Sequence, residues 1–244
     1  MLGGNFLKKY IIATLIILAV VAASGCIGQN ATGSGNVINQ SQNVSGFNQV
    51  SVDGTGTLII TQGDKESLTV EAEDNVLPDI KTNVNNNVLT IGFGNRTVIP
   101  TKPIKYYLTV KNLNSISYSG GGKIQSNGLK TNSLTINING AGEGNLTNLN
   151  VNTLKIIISG AGRLFMSGNA NNQDISISGA GEYNANNLTS KTVTLTISGA
   201  GKGTIKVSNS LNAIVNGAGD ISYIGNPQVT KQLNGAGTVK QISG

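Results

Sequence analysis

The chain has 244 residues, of which 33 are Gly, with no His, no Trp and a single Cys. Without His or a second Cys, the usual Ser-His and Cys-His nucleophile pairs, most zinc sites and any intramolecular disulfide are excluded. The formal charge of +6 falls to +4 once Lys8 and Lys9 of the leader are removed, and the basic residues are scattered, so no nucleic-acid partner is expected.

Lys8 and Lys9 precede an apolar run from Ile11 to Ala23 and then Ser24-Gly25-Cys26. A positive start, a short apolar stretch and small residues form a secretory signal, here residues 1–25. Cys26 resembles the lipidated cysteine of a lipoprotein lipobox, although Ala23 stands where Leu is commonest. An uncleaved anchor is the rival reading, because the uncharged run from Tyr10 to Gly28 is long enough to span a bilayer. Either way the chain is expected to be extracytoplasmic, with the membrane as its first partner through the N-terminus. Residues 26–46, rich in Gly, Asn, Ser and Gln, read as a flexible polar tether. Glycosylation sequons begin at Asn30, Asn39, Asn43, Asn95, Asn145 and Asn187, and bear on the protein only in a host that modifies them.

Residues 47–244 read as one domain. Between 47 and 112 the strands are irregular: alternation marks Phe47–Val52, Thr57–Gln62, Ser67–Ala72, Val88–Phe93 and Tyr106–Lys111, with a hairpin-like turn at Asn85-Asn86-Asn87. Asp53-Gly54-Thr55-Gly56 is a degenerate copy of the motif that follows. The acids Glu71, Glu73, Asp74 and Asp79 cluster here; a solvated strand face is the simple reading, and Asp74 and Asp79 beside Pro78 are the place to look for a metal, although none is expected.

From 113 to 244 the pattern is regular. Ile158-Ser159-Gly160-Ala161-Gly162 recurs from Ile177 and from Ile197, and looser copies bring the series of starts to Ser119, Asn139, Ser159, Ser178, Ser198, Asn216 and Asn234. A period of 18–20 residues marks stacked repeats. One residue before the motif stand Ile138, Ile158, Ile177, Ile197, Val215 and Leu233; three before it, Ile136, Ile156, Ile175, Leu195, Ala213 and Lys231; five before it, Leu134, Leu154, Gln173, Val193, Leu211 and Val229. Apolar residues at every second place make a strand, and one such strand per coil stacks like residues into aliphatic rows about 4.8 Å apart, the interior of a parallel β-solenoid. Gly-Ala-Gly then reads as a tight corner with the small Ala directed into the bend.

The residues after each motif, Lys123, Glu143, Arg163, Glu182, Lys202 and Asp220, alternate in sign and are expected to form a surface charge ladder. Tyr183 and Tyr223 follow their motifs closely and are candidates for a glycan-facing surface, against the plainer reading of packing at coil edges.

An opening Phe47-x-x-Val50-x-Val52-x-Gly54, then Val70-Glu71-Ala72-Glu73-Asp74-Asn75, Val88-Leu89-Thr90-Ile91 and the Ser/Asn-Gly-Ala-Gly coils together resemble the putative auto-transporter adhesin head GIN domain (DUF2807) over about residues 46–242. The resemblance implies a right-handed parallel β-helix on a bacterial or archaeal surface, an adhesion role, and no catalytic residues. Three functions stand at this point. A non-catalytic adhesin-like module would bind a surface glycan or protein. A structural envelope protein would self-associate. A polysaccharide-active enzyme would need paired carboxylates, which eleven acids, three of them in the ladder, supply poorly. No enzyme activity and no cofactor are expected.

Overall fold

The computed structural model describes residues 31–94 and 98–244. The leader, Cys26 and the sequons at Asn30 and Asn95 lie outside the described residues. The described part opens with β1 (Ala31–Thr32) and β2 (Val37–Gln42), then β3 (Gln49–Gly54) and β4 (Thr57–Gln62), which flank the degenerate corner. β5 (Ser67–Glu73) leads through a 3-10 turn at Leu77–Asp79 to β6 (Ile80–Asn85), β7 (Val88–Phe93), β8 (Val98–Ile99) and β9 (Lys105–Val110). β6 and β7 form an antiparallel hairpin whose two loop residues, Asn86 and Asn87, have φ of 48° and 64°. That is the conformation of a type I′ turn, which Asn tolerates.

The remaining strands are β10 (Ser115–Gly120), β11 (Lys123–Asn127), β12 (Lys130–Gly140), β13 (Glu143–Gly160), β14 (Arg163–Gly179), β15 (Glu182–Gly199), β16 (Lys202–Gly217), β17 (Asp220–Ile224), β18 (Gln228–Asn234) and β19 (Thr238–Gln241). Successive coils pair in parallel, so the molecule is an all-β parallel solenoid of about 6 turns. Ile138, Ile158, Ile177, Ile197 and Val215 fall in one register row and all are buried. Each such side chain removed from water contributes about 1.5–3 kcal/mol, so the rows are the main source of stability.

The corners differ in one respect from the sequence expectation. Ala161 is exposed while Gly162 is buried, and the other complete Gly-Ala-Gly corners from Ala141 to Ala218 repeat this order. The Ala therefore faces solvent, and the second Gly is the residue that faces inward. The first Gly supplies the turn: Gly160 has φ of 115°, and a β-carbon there would lie 2.6 Å from Gly140 O. Hydrogen bonds continue between coils through the corner, from Ala161 N to Gly140 O and from Arg163 N to Gly142 O, both 2.9 Å.

Variation in coil length is taken up on another side. The register shifts fall between Leu146 and Leu149, Phe165 and Ser167, Ala185 and Thr189, and Ser190 and Thr192, while the strands before and after each corner stay in step.

The N-terminal end is closed by a change of strand direction. β7 and β9 run parallel to β3 and β4, forming a layer beneath the first complete coil, and β5 then pairs antiparallel with β9. β2 pairs antiparallel with β5 over all of Val37–Gln42, β1 pairs with β8, and Val44 is buried. The described part of residues 26–46 is thus a capping element and not a flexible tether. Its polar composition misled because an edge strand with solvent on one side needs few apolar residues.

Glu73 fastens this cap. Its carboxylate, 1% exposed, accepts from Gly35 N at 2.7 Å and Thr101 N at 2.9 Å, and from the Thr101 hydroxyl. The Thr101 hydroxyl is the main cause that holds its pKa below the usual carboxylate value, with the backbone donors adding to it against burial. At the first corner Tyr118 donates to Gly56 O at 2.7 Å, and burial pushes its hydroxyl pKa up to about 12.

Candidate functional site: a lateral groove on the solenoid

After each corner the strand turns alternate residues outward, and register stacks them into rows. The row next to the corners contains Lys123, Glu143, Arg163, Glu182, Lys202 and Asp220 in that order. Two ion pairs form along it, Lys123 Nζ to Glu143 Oε2 at 3.5 Å and Arg163 Nε to Glu182 Oε2 at 3.7 Å, and Asp220 Oδ1 accepts from the Thr238 hydroxyl at 2.6 Å. The side chains are well exposed, so each pair is worth about 0–1 kcal/mol. What the row offers a ligand is alternating sign and hence little net field.

Two residues further along each strand is a row of different character. Tyr107, Ile59, Gln125, Asn145, Phe165, Asn184 and Thr204 stand one above another. Tyr107 and Phe165 are 38% and 36% exposed, so both present ring surface to water. Tyr107 is partly engaged, its hydroxyl donating to Glu71 Oε2 at 3.0 Å, whereas Phe165 sits between two carboxamide side chains.

Beside this row run two shallow depressions. One of about 320 Å³ is lined by residues including Ile59, Thr61, Gln125 and Asn127, the other of about 190 Å³ by residues including Phe165, Asn184 and Asn187, and both include Asn145 and Thr147. They are therefore segments of one groove along the solenoid axis. Its edge is organised by amide contacts, with Asn127 Oδ1 accepting from Asn148 Nδ2 at 2.6 Å and from the Thr147 hydroxyl at 3.3 Å. No Lys, Arg, Asp or Glu lines either segment. Such a lining can hold a ligand through hydrogen bonds and ring contact, but it contains no acid or base to move a proton at neutral pH.

Two further hollows carry cations. A cleft of about 390 Å³ lies between the Pro100–Ile104 loop and the first corners, with Lys102 and Lys123 in its wall. On the turn side a depression of about 580 Å³ is lined by Lys130 and amides including Asn132, Asn152 and Asn171, the last donating to Asn152 Oδ1 at 3.0 Å.

The two tyrosines weighed as candidates for a glycan-facing surface do not face solvent, which accords with the plainer reading of packing. Tyr183 is wholly buried and Tyr223 is 8% exposed; both point into the solenoid, Tyr183 one position and Tyr223 three positions after an outward ladder residue. Tyr183 donates to Gln173 Oε1 at 2.5 Å, and Gln173 Nε2 donates to Ser190 Oγ at 2.5 Å. This buried polar chain satisfies the one amide in an otherwise aliphatic row, and burial drives the Tyr183 pKa far up. Phe165, missed from the sequence, could have been found by the same alternation.

The acidic cluster is likewise structural. Asp74 accepts from Ser34 Oγ at 2.5 Å and Asn36 Nδ2 at 2.8 Å, and Glu71 accepts from Lys105 Nζ at 2.7 Å. Among the described residues no group of three or more His, Cys, Asp or Glu is placed to hold a metal ion.

Fold and face together define a parallel β-solenoid that presents long, repetitive surfaces of neutral and alternating charge. The model of the family described as "Putative auto-transporter adhesin, head GIN domain" matches residues 46–227, and the chain belongs to that family. Its fold is that of a putative adhesin from Bacteroides fragilis, with a TM-score of 0.84 and 29% identity over 87% of this chain and 100% of that one. A putative lipid binding protein from Parabacteroides distasonis shares the fold at a TM-score of 0.73 and 20% identity, covering 88% of this chain and 100% of its own. So does a putative adhesin from Parabacteroides merdae, at 0.67 and 23%, covering 87% and 99%. A comparison with the curated proteins gives no match.

Proposed function

We propose that the chain is a non-catalytic, adhesin-like binding module displayed on the cell surface and held to the envelope by its N-terminus. The observation that carries this reading is the lateral face: uncharged polar and aromatic side chains stack from coil to coil on a rigid frame, which suits attachment to an extended ligand and supplies no proton-transfer group. Family membership and the 29% identical putative adhesin support it. Lipidation at Cys26 fits the reading, with retention of the apolar run as the alternative form of anchor.

The test applies the purified full chain to arrays of envelope and host glycans and of surface proteins, reading bound protein and released fragments together. Saturable binding without fragments is expected; release of fragments would establish an enzyme instead. A second reading, a self-associating envelope protein, is favoured by one observation. Leu233 on β18, in the same row as the buried Val215, is 48% exposed. Concentration-dependent assembly with no ligand binding would decide for it.

A further inference from the structure

The adhesin-like reading leaves open which surface binds and what chemistry it accepts. We infer that the groove beside Gln125, Asn145 and Asn184 binds an extended, uncharged glycan strand lying along the solenoid axis, with Phe165 against the face of a sugar ring. This rests on the binding-module reading and narrows it to one surface and one ligand class.

Charge gives the first argument. Both groove segments lack ionisable side chains, whereas the two other hollows carry lysines. A polyanion or polycation seated in the groove would lose hydration with no opposite charge in the lining to compensate it. The neighbouring ladder does not supply one, because its signs alternate at every coil.

Hydrogen bonding gives the second. A carboxamide offers donors and an acceptor at one site, which matches a sugar hydroxyl that both donates and accepts. A bound peptide strand would seek unpaired backbone at a sheet edge, and β13 and β14 beneath Asn145 and Phe165 are paired on both sides. Only side chains are on offer here.

Geometry gives the third. Phe165 is an exposed ring in the middle of an amide row, suited to the apolar C–H face of a pyranose. Register positions recur about every 4.8 Å along the axis, so an extended polymer meets an uncharged side chain, amide or ring, at each successive coil of the row. The two segments join through Asn145 and Thr147, which makes the contact continuous.

The experiment measures binding of detergent-solubilised full chain to cellohexaose and chitohexaose, with oligogalacturonate as the acidic comparison, by calorimetry. We expect saturable binding of at least one neutral oligomer, weakened about tenfold or more by Phe165→Ala and by Gln125→Ala and unchanged by Asn132→Ala on the turn side. All three positions are exposed, so folding should survive, and circular dichroism checks it. Binding that ignores Phe165→Ala and Gln125→Ala, or binding of the acidic oligomer alone, overturns the groove assignment while the binding-module reading stands. If neither neutral oligomer binds but a protein or another glycan does on the arrays, the inference again falls alone. If nothing binds in either format, both fall. A glycan attached to Asn145 in protein from its own host, seen by peptide mass spectrometry, would also overturn it by filling the groove.

Discussion

Gly162 lies directly against Ile138 of an earlier coil: a β-carbon on Gly162 would sit 2.6 Å from Ile138 Cγ2. The aliphatic row and the corner are thus one packing unit, in which the inward Gly makes room for a branched side chain. Gly162→Ala should destabilise the protein by about 1–3 kcal/mol, as overpacking does, while Ala161→Ser, at an exposed position, should stay within about 0.5 kcal/mol. Urea unfolding of the two variants provides the comparison.

The buried chain from Tyr183 through Gln173 to Ser190 makes a coupled prediction. Tyr183→Phe strands Gln173 Oε1 and should cost about 1–3 kcal/mol. Combining it with Gln173→Leu should cost less than the two single changes added together, and a double-mutant cycle measures the coupling. Strict additivity would contradict the geometry.

Acid should loosen the N-terminal cap. The folded-state pKa of Glu73 is depressed below the ordinary glutamate value of 4.5, so the unfolded chain binds the proton more readily. Its stabilisation is therefore present above about that pH and is lost as the pH falls through the lower folded-state value. Glu73→Gln should lower stability at neutral pH and flatten the decline in acid, as followed by thermal unfolding at a series of pH values.

In the charge row, Glu182 stands between Arg163 and Lys202. Glu182→Lys would place three cations in succession and should destabilise by up to about 1 kcal/mol at low ionic strength. Raising the salt should remove most of the difference. A loss that persists in high salt would mean that Glu182 acts through packing.

At the N-terminus, Cys26→Ser separates the two anchoring readings. If Cys26 is lipidated, the variant loses incorporation of labelled fatty acid and its mature form is no longer held by a lipid. If the apolar run is retained, membrane fractionation is unchanged and no label enters the wild-type chain.

Much of the solenoid was legible because its signal is redundant. Alternation at Ile136, Ile138, Ile156 and Ile158 and the 18–20-residue recurrence independently point to the same register. The corner was found, but its polarity was reversed: Ala and Gly are both small, and composition does not say which of them faces inward. Tyr183 illustrates a different loss. Its position immediately after the outward Glu182 marks it as inward, yet its amphipathic character suggested a surface role. β2 was hidden for the opposite reason, since its strand is held by pairing with β5 and by Glu73, both distant in the sequence. The groove was least visible of all. Its neutrality emerges only when residues from several coils are brought side by side.

The confinement of register shifts to one side of the coil has a consequence for how such a chain can change. Insertions and deletions at the stretch following Phe165 or Ala185 meet a turn that already accommodates unequal lengths. The corners and the row carrying Gln125, Asn145, Phe165 and Asn184 remain aligned across the same coils, whereas Ser167, Asn186 and Asn187 of that stretch also line the groove. Natural variation in this neighbourhood would therefore reshape one wall of the groove, or carry an inserted epitope, while the corners keep their spacing.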